Sequence, residues 1–310
     1  MSDFHRPLYY YSVASDFVEK VLGVSRTDPN FFVYVNKIVT EERSPYPNSD
    51  TLNSWKVRDR RYRTEQDRMP LRNQIVYEML SMRRLPDDEQ VMLGHGGGKP
   101  LSGVKSQRKA FYIMGLPASG KSSICGSICD LYGAFLLDSD LIKRKLPEFK
   151  RKKGASLVHE ESSVMTMGGM IDNQPFDSLF KQCYYSGYNI CIPKIGSKIM
   201  DITRLFYLLR FCGYSIYVVL VSLERDIATR RAFNRFLKTN RYVSLSMIFD
   251  GYANDPILCY YRLRKYMEDR GKRLVTELAA LSSNVAIGKP YKILDQRFSG
   301  PILERYLATL

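Results

Sequence analysis

The chain has 310 residues, 45% hydrophobic and 25% charged, enough to bury an α/β core in one large domain or two smaller ones. Its formal net charge of +15 predicts a positive field that draws anionic ligands: nucleotides, sugar-nucleotides, nucleic acid or acidic proteins. The six cysteines show no C-x-x-C spacing and the three histidines are widely separated, which argues against a disulfide framework or a zinc site and for a reducing cytoplasm.

The opening residues, MSDFHRPLYYYSV, lack a secretory pattern, and no apolar run approaches the roughly eighteen residues of a membrane span. The expectation is a soluble cytoplasmic enzyme without membrane contact. Residues 1–94 are polar, aromatic and helix-prone, with helices predicted at Val13–Val21, Phe31–Glu42 and Leu71–Met82. Ser44–Asp50 reads as a loop, because its prolines and small polar residues break regular structure. The basic cluster Arg58–Arg63, interrupted by Asp59 and Tyr62, fits a solvated helix face better than an anion-binding patch. Gly94–Pro100 opposes helix and strand alike, so a linker is expected over 95–104 and an α/β domain over 105–310. A glycine loop over phosphates is the weaker alternative there, since the G-x-G-x-x-G spacing and a following strand are missing.

From Ala110 the texture alternates between buried strands and helices, which implies a parallel sheet with crossover helices. Strands are predicted at Ala110–Met114, Ala134–Leu137, Asn189–Ile192, Ser215–Val221 and Tyr291–Leu294. Helices are predicted at Lys121–Leu131, Phe176–Tyr185, Ile202–Phe211, Ile227–Leu237, Pro256–Met267 and Pro301–Thr309. The fold class is therefore α/β, a P-loop NTPase-type parallel sheet flanked by helices and preceded by a mainly helical N-terminal region.

Gly115-Leu116-Pro117-Ala118-Ser119-Gly120-Lys121-Ser122 matches G-x-x-x-x-G-K-S/T between a predicted strand and a predicted helix. In that setting backbone N–H groups turn inward on phosphate oxygens and the helix N-terminus adds positive potential. Lys121 reaches the β- and γ-phosphates, and Ser122 ligates magnesium. Ser123 follows as a further nucleotide-binding candidate, and ATP or GTP is the expected donor. Asp138 and Asp140 end the second strand, beside the P-loop in a parallel sheet. A carboxylate there can take a proton from an acceptor hydroxyl, worth roughly 10²–10⁴ in rate. Asp140 is the expected base, and Asp138 a substrate-binding candidate; either could instead cap the helix that follows. Phosphoryl transfer also needs cations around the transferring group. Arg230, Arg231, Arg235 and Arg241 follow the fourth strand, and Arg231 and Arg235 share a helical face. Arg231 is expected to contact the nucleotide. Lys150–Lys153 reads as a solvated turn or, given the charge excess, as a funnel for an anionic acceptor.

From about Phe111 to Val243 these motifs, in this order, resemble the zeta toxins, P-loop kinases that phosphorylate sugar-nucleotides or related small nucleotides. Leu137–Lys143 followed by Leu146–Phe149 is similar to the family's Asp-x-Asp, basic, His-Pro segment. The resemblance puts the family's base on Asp140 and its triphosphate arginines on Arg235 and Arg241. It also brings in His159, Glu160, Glu161 and Ser162 as an acidic and hydroxyl segment near the acceptor, and Asp177 as a carboxylate that contacts substrate. The chain departs from the family at Leu146-Pro147, where His-Pro is usual, and at Pro193–Lys198, where an acidic-Gly-Thr loop is common. That loop helps position the sugar-nucleotide in members acting on UDP-N-acetylglucosamine. Lys194 and Lys198 point instead to a more anionic acceptor, or to one presenting phosphates to this loop; some zeta-like effectors act on the adenosine ribose of NAD.

The leading expectation is a kinase that uses magnesium and ATP or GTP to phosphorylate an alcohol group of an anionic nucleotide or sugar-nucleotide. Such an activity is toxic where it drains a cell-wall precursor or a redox cofactor. A polynucleotide kinase is the runner-up, on the basic and aromatic N-terminal region, although nucleic acid is the less favoured partner. A nucleotide-binding module without catalysis is disfavoured by the complete set Lys121, Ser122, Asp140, Arg235 and Arg241. The N-terminal region reads as an antitoxin-like cap, a docking module for an antitoxin or other inhibitory partner, or packing for the kinase.

Overall fold

The computed structural model describes residues 6–168, 177–270, 274–286 and 289–310. The first three helices precede the sheet: α1 (Tyr11–Lys20), α2 (Phe31–Arg43) and α3 (Glu65–Ser81). β1 (Lys109–Met114) is buried from Ala110 onward, as a strand covered on both faces must be. After it come α4 (Lys121–Tyr132), β2 (Phe135–Leu136), α5 (Ser139–Lys145), α6 (Gly154–Leu157), α7 (His159–Met167) and α8 (Leu179–Tyr185). β3 (Ile190–Lys194), α9 (Ile199–Phe211), β4 (Ser215–Ser222), α10 (Arg225–Thr239) and α11 (Asp255–Arg270) follow. β5 (Glu277–Ser282), β6 (Lys292–Phe298) and α12 (Pro301–Leu307) end the chain.

The strands form one sheet in the order β2-β3-β1-β4-β5-β6. The first five run parallel, and β6 pairs antiparallel with β5. The carboxyl ends of β1 and β2 therefore open on the same edge, which is where the P-loop and Asp138–Asp140 lie. Among the described residues no helix is long and apolar enough to cross a membrane.

Three departures from the sequence reading have physical causes. β5 is built from Glu-Leu-Ala-Ala-Leu-Ser, residues that favour helices in isolation; burial between β4 and β6 overrides that preference. β6 extends to Phe298 rather than ending at Leu294. α7 buries Glu161, Ser162 and Thr166 beside Met165, so polar residues occupy the face where a helical pattern needs apolar ones. The predicted helix starting at Phe176 begins outside the described residues; α8 covers its later part.

The N-terminal helices share their cores with the sheet domain. Phe17, Val18, Phe31, Val35 and Ile38 pack with Leu116 of the P-loop and with Ala228, Ala232, Phe233 and Phe236 of α10. Leu71, Ile75 and Met79 of α3 belong to the main core. The glycine-rich stretch expected as a linker is a packed strip between α3 and β2. The Gly98 N–H donates to Met79 O, and Gly98 O accepts from the Leu136 N–H, both at 2.8 Å. A Cβ at Gly98 would lie 2.6 Å from Leu136 O, so only glycine allows this approach.

Arginine–carboxylate pairs bolt α3 to α7. Arg68, Glu148 and Glu161 are each 0% exposed. Arg68 donates to Glu161 at 2.8 and 2.6 Å and to Glu148 at 2.9 and 3.1 Å. Arg72 adds a bond to Glu161 at 2.7 Å. Burial alone would raise Glu161, but Arg68 and then Arg72 hold it down to about 2. The Arg58–Arg63 cluster is split: Arg60 and Arg61 are exposed in a 3-10 turn, as a solvated face would be, but Arg58 is not. Arg58 is buried and donates to the carbonyls of Thr51 and Leu52 at 2.6 and 2.9 Å.

Candidate active site

β1 delivers the chain into the P-loop at Gly115, whose φ is +155°. A Cβ there would lie 2.4 Å from Val221 O on β4, so the turn requires glycine. Ala118 takes φ +61°, a strained left-handed conformation of the kind concentrated at functional loops. The loop ends at Gly120, the N-cap of α4, and Ser122 and Ser123 are exposed in that helix's first turn. Lys121 folds back on the loop and donates to Gly115 O and Leu116 O at 2.7 and 2.6 Å. Burial lowers its ammonium to about 8. Ser119 is buried, and its hydroxyl has no hydrogen-bond partner.

The facing wall is the start of α5. Asp138 is the N-cap, and its Oδ1 accepts the Asp140 N–H at 2.9 Å. Of the two aspartates, it is therefore Asp138 that caps. Burial first, then the charge of Asp140, push the Asp138 carboxyl up to about 6. Asp140 behaves oppositely. Burial would raise it, but Lys143 at 2.8 Å and Arg241 at 3.4 Å hold it well below the usual carboxylate range.

One cavity of about 1130 Å³ joins these walls. It is lined by Pro117, Ala118, Gly120, Lys121 and Ser122 of the loop, by Asp138 and Asp140, and by Arg235 and Arg241. His159, Glu160, Lys194 and Lys198 line the same space. Burial lowers Lys194, while burial and then Arg241 lower Arg235. The Nε of Arg235 is buried without a hydrogen-bond partner. Cations, a P-loop and a carboxylate pair thus share one volume, the arrangement that phosphoryl transfer needs.

Several expected site residues face elsewhere. Glu161 is fully buried between Arg68 and Arg72. The Ser162 hydroxyl donates to His159 O at 2.8 Å. Neither lines the cavity: α7 turns Glu161 toward Arg68 and Arg72 of α3, and the Ser162 hydroxyl bonds its own helix. Asp177 pairs with Lys181 at 2.6 Å and accepts from Gln182 at 3.1 Å. Arg231 donates to Ser283 O at 3.0 Å, and Arg230 to Val21 O at 2.8 Å. These arginines anchor α10 to its neighbours, whereas Arg235 and Arg241 reach the cavity. Of the Lys150–Lys153 run, Lys153 lines the cavity and donates to Glu41 O at 2.8 Å.

Other lining residues carry no signal in the sequence. Asp88 and Glu89 enter the cavity from a 3-10 turn after α3. Glu89 accepts from Arg241 at 3.1 Å across 152 positions of sequence. Burial raises the Asp88 carboxyl, and the nearby Ser122 hydroxyl partly offsets that rise. Only the acidic run Asp87-Asp88-Glu89 within a strongly basic chain could have drawn notice. Ser122, Asp88 and Asp138 offer oxygen donors suited to magnesium, which takes one or two protein ligands together with phosphate oxygens. Among the described residues no group of three or more His, Cys, Asp or Glu side chains is placed to hold a metal.

The protein family described as zeta toxin matches residues 98–254. No curated protein matches the chain. Several solved structures are similar to it, three of them as follows. One, from the PezAT chromosomal toxin-antitoxin system of Streptococcus pneumoniae, is 12% identical, with TM-score 0.43 over 59% of this chain and 70% of its own. AvrRxo1-ORF1:-ORF2 with ATP is 16% identical, with TM-score 0.47 over 85% and 78%. A gluconokinase from Sinorhizobium meliloti 1021 is 13% identical, with TM-score 0.28 over 66% and 94%. Likenesses this distant bear on no substrate or partner.

Proposed function

The chain belongs to the zeta toxin family, and on that premise we propose that it is a P-loop kinase that moves the γ-phosphate of ATP onto a hydroxyl of an anionic nucleotide or sugar-nucleotide. The observation that carries this reading is the single cavity holding Lys121, Ser122, Asp138, Asp140, Arg235 and Arg241 together. In the proposed reaction the P-loop amides and Lys121 hold the β- and γ-phosphates, after Lys121 leaves the loop carbonyls. Arg235 and Arg241 face the charge that spreads over the equatorial oxygens of the transferring group. Magnesium, held through Ser122 with Asp88 beside it, would supply charge neutralisation of the donor phosphates. Asp140, once released by Lys143 and Arg241, takes the proton of the acceptor hydroxyl. Lys194 and Lys198 give the acceptor end of the cavity a positive charge that suits a phosphorylated substrate.

A second assignment of the base has an observation of its own. Asp138 is raised to about 6 and lies in the same cavity, the poise expected of a carboxylate that must accept a proton near neutral pH. Family membership also supports a toxic activity restrained by an inhibitory partner, with no partner chemistry legible on this chain.

The test is incubation with ATP, magnesium and a metabolite panel that includes UDP-N-acetylglucosamine and NAD. Mass spectrometry is expected to find one acceptor carrying an added phosphate. Asp140→Asn should slow its formation by roughly 10²–10⁴; full transfer by that variant would remove Asp140 from the base role.

A further inference from the structure

The cavity contains an acidic turn, one residue of which, Glu89, has no part in the proposed reaction. The 3-10 turn Asp88–Gln90 is capped by Asp87, whose carboxylate accepts the Glu89 N–H at 2.9 Å. This cap aims Glu89 at the two arginines ahead of it. Glu89 Oε1 accepts from Arg241 Nη1 at 3.1 Å and stands 2.8 Å from Arg144 Nη2. The other terminal nitrogen of Arg241 donates to Asp140 at 3.4 Å.

Both ends of the Arg241 fork are therefore occupied by carboxylates. Arginine grips a phosphate through that same fork, so Glu89 and a bound triphosphate compete for it. A second donor-site group is also engaged within the chain: Lys121 donates to the loop carbonyls. The acid is the member free to leave. The Glu89 side chain is 33% exposed, against 20% for Arg241 and 5% for Arg144. Its withdrawal strands no buried carboxylate, but it leaves Arg144 on the cavity wall without its carboxylate, so a phosphate must take Glu89's place there.

Resting on the kinase reading, we infer that Glu89 is an internal competitor for the donor phosphates, holding Arg241 and Arg144 until a triphosphate displaces it. The chain's apparent affinity for nucleotide is then the intrinsic affinity reduced by the fraction of molecules in which Glu89 occupies the arginines. The acidic turn gives the N-terminal region a direct influence on the donor site, exerted by one side chain.

The experiment is calorimetric titration of the full chain with ATP in magnesium chloride, for wild type, Glu89→Gln, Glu89→Asp and Lys121→Ala. Glu89→Gln is expected to bind ATP roughly three- to tenfold more tightly, by removing the occluded fraction, while remaining folded. Glu89→Asp, which withdraws the carboxylate by one methylene, should fall between it and wild type. Equal or weaker binding by a folded Glu89→Gln overturns the inference, and weaker binding would make Glu89 a holder that presents the arginines to phosphate. Lys121→Ala keeps the two levels apart. If it weakens ATP binding while Glu89→Gln does not tighten it, only this inference fails. If Lys121→Ala binds as wild type does, the donor-site reading fails and this inference with it.

Discussion

Two arginine–carboxylate networks join the N-terminal region to the sheet domain, and they differ chiefly in burial. In the first, Arg68 lies between Glu148 and Glu161, with all three side chains 0% exposed. In the second, Arg241 lies between Glu89 and Asp140, which are 33% and 48% exposed. The chemistry is the same and the consequence is opposite. Fully buried charges cannot trade partners, because water is not there to take over a lost bond. Charges on a cavity wall can, since solvent or a ligand phosphate replaces the missing carboxylate at small cost. The first network is a fastening, and the second lines the candidate site.

The largest effect that separates them is on stability. Arg68→Ala leaves two glutamates buried without their cation and is expected to lose about 3–5 kcal/mol in urea denaturation. Glu89→Gln, on the cavity wall and with an amide oxygen that still accepts from Arg144 and Arg241, should lose no more than about 1 kcal/mol. Comparable losses from the two would erase the distinction.

A smaller effect lies in the pH dependence of transfer and sharpens the second network. Asp140 is held below the usual carboxylate range by Lys143 and Arg241. It is therefore already ionised at mildly acidic pH, and as the base it predicts a kcat that is flat from about pH 5 to about pH 7. Asp138 is protonated below about 6. As the base it would instead make kcat climb up to tenfold per pH unit below that point and level off above it. Such a climb, abolished in Asp138→Asn, would move the proton acceptor from Asp140 to Asp138.

The donor half was legible because its signal is contiguous. Gly115–Ser122 carries its whole mechanism in eight adjacent residues, and flanking strand and helix patterns confirm its setting. Asp138 and Asp140 followed from the end of the second strand, and Arg235 and Arg241 from the resemblance to the zeta toxins, while the helical spacing that paired Arg231 with Arg235 misplaced Arg231. Glu161 and Ser162 misled, because a polar residue reads the same whether it faces a substrate or a buried arginine on another helix. β5 was hidden by helix-favouring residues that only the sheet makes extended. Glu89 was illegible for a different reason. Its partner Arg241 lies 152 positions away, and no local pattern encodes a contact of that range. The Gly94–Pro100 strip shows the same limit, since Gly97 serves close packing against the end of α3 and Gly98 against β2, rather than freedom of a hinge.

The central claim is that this cavity transfers a phosphoryl group. Its most direct test follows the label from γ-phosphate-labelled ATP, with magnesium and a small-molecule cell extract, for wild type and Lys121→Ala side by side. The account predicts label in an organic small molecule with wild type and none with Lys121→Ala. Label appearing only as inorganic phosphate, or transfer undiminished in Lys121→Ala, would contradict it.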